Sequence, residues 1–324
     1  MTKNGNETRS LARAAALPLV LVGAAIAAAE VGRRAYRETQ IFCPSPDPVI
    51  SWNPADYGIP PGVVEEHWID TPDGERLHAW YCRAENPVAS ALFCHGNTGN
   101  LTVSAHSIPH LLRAGLSILF FDYRGYGRSS GKATITGVIA DGVTAAKFHD
   151  GIRPAELPSI LYGYSLGGAI GAQVLERHRF DAAILHSTFT SLRNLTRELY
   201  PRLPIYLLAG RTFDTMGIVR RLRIPLLVIH GTADEVVPCS MAGELFDACT
   251  TERRIHRAEG ALHKDVFTLD PERAATAIGE FIAHVSRTER IEGPSVKPPE
   301  PWTRAFERVG RTRMRKTPRT EDGG

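Results

Sequence analysis

Short apolar runs alternate with longer stretches of mixed polarity through the middle of this chain. The apolar runs are residues 89–94, 117–121, 159–162, 182–185 and 226–229. Their length and low polarity predict strands that are buried on both faces. Stretches compatible with helices follow these runs, at residues 101–113, 135–149, 166–177 and 241–248. Such strands separated by helices predict an α/β fold, a mainly parallel twisted sheet with helices on both faces.

Two strands with a different pattern precede this region. Residues 63–70 and 77–83 are joined by the turn Thr71-Pro72-Asp73-Gly74, which predicts an antiparallel hairpin. Before them, residues 41–62 are rich in proline and turn formers, as expected of an extended approach to the domain. A last strand at 253–257 and a closing helix at 271–285 complete the predicted domain, residues 41–286.

An insertion, residues 188–224, separates the strands at 182–185 and 226–229. It contains apolar and aromatic side chains, such as Phe189 and Tyr206, among prolines and arginines. A segment of this length predicts a short helical cap over a site. The alternative is ordinary packed helix without a role as a lid.

The N-terminal segment, residues 1–40, contains an uncharged apolar run at 14–29 that follows several basic residues. With Leu11 and Ala12 this run approaches the ~20 residues that cross a bilayer. We therefore expect a transmembrane helix that associates the protein with the membrane as a single-pass anchor. A cleavable secretory signal ending near Ala27-x-Ala29 is the alternative, and the protein would then be secreted or periplasmic.

The composition is that of a globular protein with little excess charge. Lys and Arg number 38 and Asp and Glu 35, and the net charge of +3 is too small to indicate a nucleic-acid partner. Much of the positive charge lies in residues 287–324, which predicts a disordered tail; contact with anionic lipid or nucleic acid is the alternative. The five cysteines lack Cys-x-x-Cys spacing, so neither a zinc site nor a disulfide framework is expected. A single disulfide remains as an alternative.

The sequence Gly163-Tyr164-Ser165-Leu166-Gly167 lies between the predicted strand at 159–162 and the helix at 166–177. A sharp turn from strand to helix forces the serine into a strained conformation, and the flanking glycines let neighbouring backbone approach. The hydroxyl is then presented beside helix N-terminal amides, which stabilise an anion. Ser165 is therefore a candidate nucleophile.

Candidates for the acid and the base follow in the chain. Asp234 comes after the strand at 226–229, and His263 comes after the last strand. Because the carboxyl ends of parallel strands share one edge of the sheet, these side chains and Ser165 should meet there. The glycine-rich loop after residues 89–94 supplies the backbone amide of Asn97, which with that of Leu166 would form an oxyanion hole.

Five motifs occur in a fixed order along residues 40–285. They are His95-Gly96-Asn97-x-Gly99-Asn100, residues 122–131, Gly163-Tyr164-Ser165-Leu166-Gly167-Gly168, residues 187–191, and His230-Gly231-Thr232-x-Asp234-x-x-Val237-Pro238. Together they resemble the Bem46-like serine hydrolases of the α/β-hydrolase superfamily, which include bacterial membrane-anchored members and eukaryotic protein depalmitoylases. The resemblance implies an α/β-hydrolase fold with Ser165 as nucleophile, Asp234 as acid, His263 as base, and Asn97 and Leu166 as oxyanion donors.

The sequence departs from the family pattern at two places. Lys264 follows the candidate base, and we expect its side chain to point to solvent. His186 stands where relatives often carry glutamate, so no carboxylate ends that strand.

The expected function is hydrolysis of a carboxylic ester or thioester in a small-molecule or acylated substrate, without metal or organic cofactor. The alternatives are an amidase or peptidase with the same triad, and a non-catalytic lipid-binding or scaffold protein on the same fold. The sequence does not define the acyl chain, the leaving group or the oligomeric state.

Overall fold

The computed structural model describes residue 32 and residues 38–207, 209, 212–288 and 292–298. Eight strands form the central sheet. They are β1 (Val64–Asp70), β2 (Arg76–Cys82), β3 (Ala89–Cys94), β4 (Leu116–Phe121), β5 (Ser159–Tyr164), β6 (Ala182–His186), β7 (Leu226–Gly231) and β8 (Arg253–Ala258). The five apolar runs, the two strands of the hairpin and the last strand at 253–257 therefore predicted all eight strands.

The strands lie in the order β8-β7-β6-β5-β3-β4-β2-β1 across the sheet. Strand β2 runs antiparallel to β1 and β4, and every other neighbouring pair is parallel. The chain adds β4 on one side of β3 and then crosses to add β5 on the other. Open α/β sheets form their sites at such a crossing, outside the carboxyl ends of the strands.

Helices cover both faces of this sheet, as predicted. They are α1 (Ile108–Arg113), α2 (Ile135–Ile152), α3 (Leu166–Leu175), α4 (Leu192–Leu199), α5 (Thr215–Val219), α6 (Ser240–Ala248), α7 (Val266–Leu269) and α8 (Pro271–Arg287). One core contains residues of α2, α3, α5 and α6, and the other contains residues of α1, α7 and α8. Alternate residues of β3 belong to different cores, Leu92 to the first and Phe93 to the second, which explains why the central strands are apolar throughout.

The first part of the predicted helix at 101–113 is a 3₁₀ helix, Leu101–Ser107. At the start of this helix, Oδ1 of Asn100 accepts from the amide of Thr102 at 3.0 Å. The amide of Leu101 donates to the buried carboxylate of Asp122 at 2.6 Å. The extended approach pairs Cys43–Pro44 with Thr98–Gly99, so the start of the domain packs against the loop after β3.

The insertion between β6 and β7 contains α4, the 3₁₀ helix Pro204–Leu207 and α5. Phe189, Phe213 and Ile218 are buried in the core that contains residues of α2, α3, α5 and α6. The two ends of the insertion therefore belong to the domain. Its middle exposes large apolar side chains, each at least 40% accessible: Leu199, Tyr200, Leu203 and Leu207.

The prediction of a transmembrane helix, and with it the single-pass membrane location, is wrong for the part of the chain that the structure describes. No helix there is long and apolar enough to cross a bilayer. The longest, α2 and α8, have 18 and 17 residues and include charged side chains such as Asp141 and Glu280, whereas a span needs ~20 mostly apolar residues. The apolar run at 14–29 lies outside the described residues.

Arg124 joins three parts of the domain. It follows β4 and donates to the fully buried carboxylate of Asp141 in α2, with the shortest contact at 2.7 Å, and to Asp73 in the β1–β2 turn at 2.7 Å. Burial raises the pKa of Asp141, and the hydrogen bonds from Arg124 oppose that rise. The guanidinium is thus the partner that lets a carboxylate stay charged in the core.

We expect Arg124→Met to lower the free energy of unfolding by about 3 kcal/mol, because it leaves Asp141 buried without its counter-charge. Arg128→Met is the matched control: Arg128 pairs with Glu66 at 2.9 Å, but both side chains are at least 40% exposed. Its loss should cost about 1 kcal/mol or less. Urea denaturation at neutral pH measures both, and equal costs would contradict the role given to Arg124.

Candidate active site

Ser165 lies at the sharp turn between β5 and α3. Its backbone has φ 53° and ψ −122°, a positive-φ conformation that residues other than glycine rarely adopt. Strain of this kind costs about 1–3 kcal/mol and persists only where the surroundings hold it. The amide of Ser165 donates to the carbonyl of His186 at 2.9 Å, and Thr188 Oγ1 donates to the carbonyl of Ser165 at 2.7 Å. Residues at the end of β6 therefore fix the serine on both sides.

The glycines around Ser165 are required by contact between backbones. A Cβ atom on Gly163 would lie 2.5 Å from Cα of Gly168. A Cβ atom on Gly167 would lie 2.0 Å from the carbonyl oxygen of Cys94 and 2.4 Å from that of His95. The turn is thus in direct contact with the loop that follows β3, as the spacing of the glycines predicts.

The three residues expected to form a triad lie together. Nε2 of His263 is 3.0 Å from Oγ of Ser165, and Nδ1 of His263 is 2.8 Å from Oδ2 of Asp234. A carboxylate only accepts, so Nδ1 carries the hydrogen and Nε2 is left to accept the serine proton. Ser165 and His263 are buried, 7% and 4% exposed, which limits competition from water.

Asp234 is held as a carboxylate by several donors. Its Oδ1 accepts from the amides of Val236 and Val237 at 2.9 and 2.8 Å. Its Oδ2 faces Nε2 of His230 at 3.1 Å as well as His263. Burial alone would raise the pKa of Asp234, but the hydrogen bonds from His263 and the backbone, together with the close approach of His230, outweigh it and hold that pKa well below its ordinary value.

Tyr164 connects His263 to the turn that carries Ser165. Its hydroxyl donates to the carbonyl of His263 at 3.1 Å, and the two rings lie 5.4 Å apart between centroids. The same ring borders the loop after β3, because a Cβ atom on Gly96 would lie 3.4 Å from Cε1 of Tyr164. The residue before the serine therefore contacts both other parts of the site.

The loop after β3 is oriented by His95. Nδ1 of His95 lies 2.7 Å from the carbonyl oxygen of Gly96, which belongs to the same peptide group as the Asn97 amide. That amide donates to no acceptor among the described residues. The Asn97 carbonyl accepts from the amide of Cys43 at 3.0 Å and from the Tyr126 hydroxyl at 2.8 Å. The amide of Leu166, the first residue of α3, likewise has no acceptor within its helix.

His186 and Lys264, the two departures from the family pattern, differ in burial. His186 is 5% exposed, and its Nδ1 lies 2.8 Å from the Tyr162 hydroxyl. Burial, with the neighbouring His230 and His263, lowers the pKa of His186 to about 3, so it is neutral. Lys264 is exposed, as expected. In the described part of the chain, no group of three or more His, Cys, Asp or Glu side chains could hold a metal ion.

A strained serine between a strand and a helix, followed along the chain by an acid and then a histidine, is the arrangement of the α/β-hydrolases. Comparison with known proteins agrees with this class. Residues 85–218 match the hydrolase family model described as serine aminopeptidase, S33. The chain is 33% identical over 213 residues to human alpha/beta hydrolase domain-containing protein 17B, covering 63% of this chain and 70% of that protein. The chain therefore belongs to the α/β-hydrolase family.

Two further similarities extend over more of the chain. An uncharacterized protein of Mycobacterium tuberculosis (strain CDC 1551 / Oshkosh) is 31% identical over 281 residues, covering 86% of this chain and 98% of that protein. The solved structure of the Pyrococcus furiosus esterase Pf2001 has a TM-score of 0.60 at 21% identity, covering 75% of this chain and 98% of its own. At that identity the structural likeness supports the fold.

Two contacts at the site were not predicted from the sequence. Tyr164 and His230 both stand inside quoted motifs, but their partners lie in the loop after β8 and in the turn after β7. The spacing of His230 four residues before Asp234 was a signal that could have indicated the second contact. The spacing alone does not give the direction of the His230 or Asp234 side chain, because the turn that joins these two residues has no regular geometry.

We expect Gly167→Ala to lower the melting temperature by several degrees, because its Cβ atom would overlap the Cys94 carbonyl. Gly151→Ala in α2 is the control: nothing lies within 4 Å of its Cβ position, and alanine favours helix. It should be neutral or slightly stabilising. Differential scanning fluorimetry measures both, and a Gly167→Ala protein with unchanged melting temperature would contradict the contact.

Proposed function

We propose that this chain is a serine hydrolase that cleaves carboxylic esters or thioesters. The observation that carries the proposal is the hydrogen-bonded chain from Ser165 through His263 to Asp234, with steps of 3.0 and 2.8 Å. This connection would let the serine act as nucleophile, the histidine as base and the aspartate as acid.

In the proposed first step, Nε2 of His263 takes the proton of Ser165 as Oγ attacks the acyl carbon. Asp234 holds the Nδ1–H tautomer and stabilises the imidazolium that forms. The amides of Asn97 and Leu166 stabilise the oxyanion. Stabilisation of this kind is commonly the largest single contribution to catalysis in such enzymes. His263 then donates its proton to the leaving alcohol or thiol, and an acyl-enzyme remains on Ser165.

In the second step, His263 takes a proton from water as the water oxygen attacks the acyl carbon. Collapse of the second oxyanion releases the carboxylic acid and returns the proton to Ser165. All groups in this scheme are protein side chains, backbone amides and water.

Within the family, we place the chain with the Bem46-like serine hydrolases, with a small-molecule or acylated substrate. The identity to human protein 17B and the ordered motifs support that placement. We assign the catalytic domain to residues 41–286 and a cap to residues 188–224. The insertion starts at Thr188, which contacts Ser165, and it exposes apolar side chains of the kind that would contact an acyl chain.

An amidase or peptidase is the second candidate, because the matching family model is described as a serine aminopeptidase. The triad chemistry is the same, and only the bond cleaved differs. The proposal favours esters because the similar solved structure is named an esterase. Rates on p-nitrophenyl esters of rising chain length, against aminoacyl p-nitroanilides, separate the candidates and also define the acyl length.

Ser165→Ala should abolish both ester hydrolysis and labelling by a fluorophosphonate probe, with an unchanged circular dichroism spectrum. Ser191→Ala is the control. Oγ of Ser191 caps α4 by accepting from the amide of Asn194 at 3.1 Å, so this substitution should cost about 1 kcal/mol of stability. It should keep its labelling. Well-folded wild-type protein that neither labels nor hydrolyses would contradict the enzyme and favour a non-catalytic binding protein.

Substitution of Asn97 tests whether its backbone amide stabilises the oxyanion. Asn97→Pro removes that amide and should lower kcat by about 10²–10³-fold. Asn97→Ala keeps the amide and loses only peripheral side-chain contacts, such as that of Nδ2 with the Ile41 carbonyl at 3.3 Å. It should stay within about threefold of wild type. Equal losses in steady-state kinetics would assign the effect to the side chain instead.

A further inference from the structure

The motif at residues 122–131, the loop after β4, has no part in the proton-transfer scheme above. Two of its tyrosines, Tyr123 and Tyr126, are 1% and 0% exposed. Buried hydroxyls are normally hydrogen-bonded, and both of these bond to the loop after β3. The Tyr123 hydroxyl donates to the carbonyl of His95 at 3.2 Å, and the Tyr126 hydroxyl donates to the carbonyl of Asn97 at 2.8 Å.

These two bonds lie on either side of the amide assigned to the oxyanion hole. The N–H of Asn97 belongs to the peptide group whose carbonyl is that of Gly96, and Nδ1 of His95 lies 2.7 Å from that oxygen. Three consecutive carbonyls, of residues 95, 96 and 97, are thus each bonded to a side chain. Because peptide groups are planar, fixing these oxygens also fixes the direction of the N–H between them.

The two tyrosines contact the loop from the interior of the domain. Both side chains belong to the core that contains residues of α2, α3, α5 and α6, so their hydroxyls have fixed positions. On the outer side, the amides of Cys43 and Ser45 donate to the carbonyls of Asn97 and Gly99 at 3.0 and 2.8 Å. Cys43 is exposed, so water competes with that contact. The tyrosines are therefore the more rigid support.

Other residues of the motif hold the loop after β4 itself in place. Gly127 has φ 51°, and a Cβ atom there would lie 2.1 Å from Oδ2 of Asp122. Oδ1 of Asp122 accepts from the amide of Leu101, just beyond the loop after β3. The amide of Gly125 donates to the carbonyl of Ser130 at 2.8 Å. The motif thus forms a folded support beside the loop that carries Asn97.

We propose that Tyr123 and Tyr126 are positioning residues of the oxyanion hole: their hydroxyls hold the loop so that the Asn97 N–H points at the oxyanion. The proposal rests on the proposed function. An oxyanion donor has its full effect only when it is oriented before the reaction, since reorientation would consume part of the stabilisation. Burial raises the pKa of both tyrosines, so both hydroxyls keep the hydrogen that they donate.

Three substitutions separate the hydroxyls from the rings. Tyr126→Phe and Tyr123→Phe each remove one hydroxyl and keep the packing of the ring. Tyr81→Phe is the matched control, because Tyr81 is 1% exposed and its hydroxyl lies 3.5 Å from Oγ of Ser90. Ser90 is the second residue of β3, at the end of the sheet away from the site.

Steady-state kinetics on a p-nitrophenyl ester is the first measurement. Tyr126→Phe should lower kcat about tenfold and Tyr123→Phe, which loses a longer bond, about threefold, with KM within about twofold of wild type. The rate of fluorophosphonate labelling should fall in the same ratio, because the phosphonyl oxygen occupies the oxyanion hole. Tyr81→Phe should keep the wild-type kcat and labelling rate.

A double-mutant cycle with Asn97→Pro tests whether Tyr126 acts through the amide. Asn97→Pro removes the N–H that Tyr126 is proposed to orient. Adding Tyr126→Phe to Asn97→Pro should therefore change kcat by less than about twofold. A further tenfold loss in the Asn97→Pro background would overturn the inference, since Tyr126 would then act elsewhere.

Hydrogen exchange measures the support of the loop without turnover. The amides of Cys43 and Ser45 donate to the loop, and prolines at 44, 46 and 48 leave few other amides in a peptide of residues 42–48. This peptide should exchange about threefold faster or more in Tyr126→Phe, and at the wild-type rate in Tyr81→Phe. Unchanged exchange in both Tyr126→Phe and Tyr123→Phe would overturn the inference.

The kinetic outcomes also separate this inference from the proposed function. A wild-type protein that hydrolyses esters, with wild-type kcat in folded Tyr126→Phe, would overturn the role of the tyrosines and leave the hydrolase standing. An equal loss in Tyr81→Phe would overturn that role too, because the effect would then follow general destabilisation. A folded wild-type protein that neither labels nor hydrolyses esters would contradict the hydrolase and, with it, the oxyanion hole.

Discussion

The site depends on one constraint, the close approach of backbones around Ser165. A serine at φ 53° is strained, and the strain is held by Gly163 and Gly167, which pack against α3 and the loop after β3. Because Gly167 touches the Cys94 and His95 carbonyls, the turn and the loop cannot move independently. The geometry of the serine is therefore fixed by contacts between backbones, to which the Thr188 hydroxyl adds one side-chain hydrogen bond.

The topology of the sheet places the remaining groups of the site. β3, β5, β6 and β7 run parallel, so their carboxyl ends bring distant parts of the sequence to one edge. Sequence analysis predicted these strands well, because each is buried on both faces and reads as an apolar run. The 3₁₀ helix Leu101–Ser107 was predicted less well, since its form depends on Asp122, a partner from another loop.

The candidate site could be predicted as a set of residues but not as a network. Ser165, Asp234 and His263 each follow a strand, so their meeting follows from topology. The contacts of Tyr164 and His230 follow from side-chain directions within irregular turns, which a pattern of polarity does not specify. The expectation of a transmembrane helix rested on apolar length and on the family resemblance, at residues outside the described ones, and no described helix is long and apolar enough.

The buried titratable groups at this edge restrict where a proton can move. Asp234 is held charged by the hydrogen bonds from His263 and the backbone and by the close approach of His230. His186 is held neutral by burial, which lowers its pKa to about 3. Burial raises the pKa of the Tyr162 and Tyr164 hydroxyls, so both keep their protons. Since each of these groups is fixed in one state, none of them competes for the proton in the proposed transfer from Ser165 to His263.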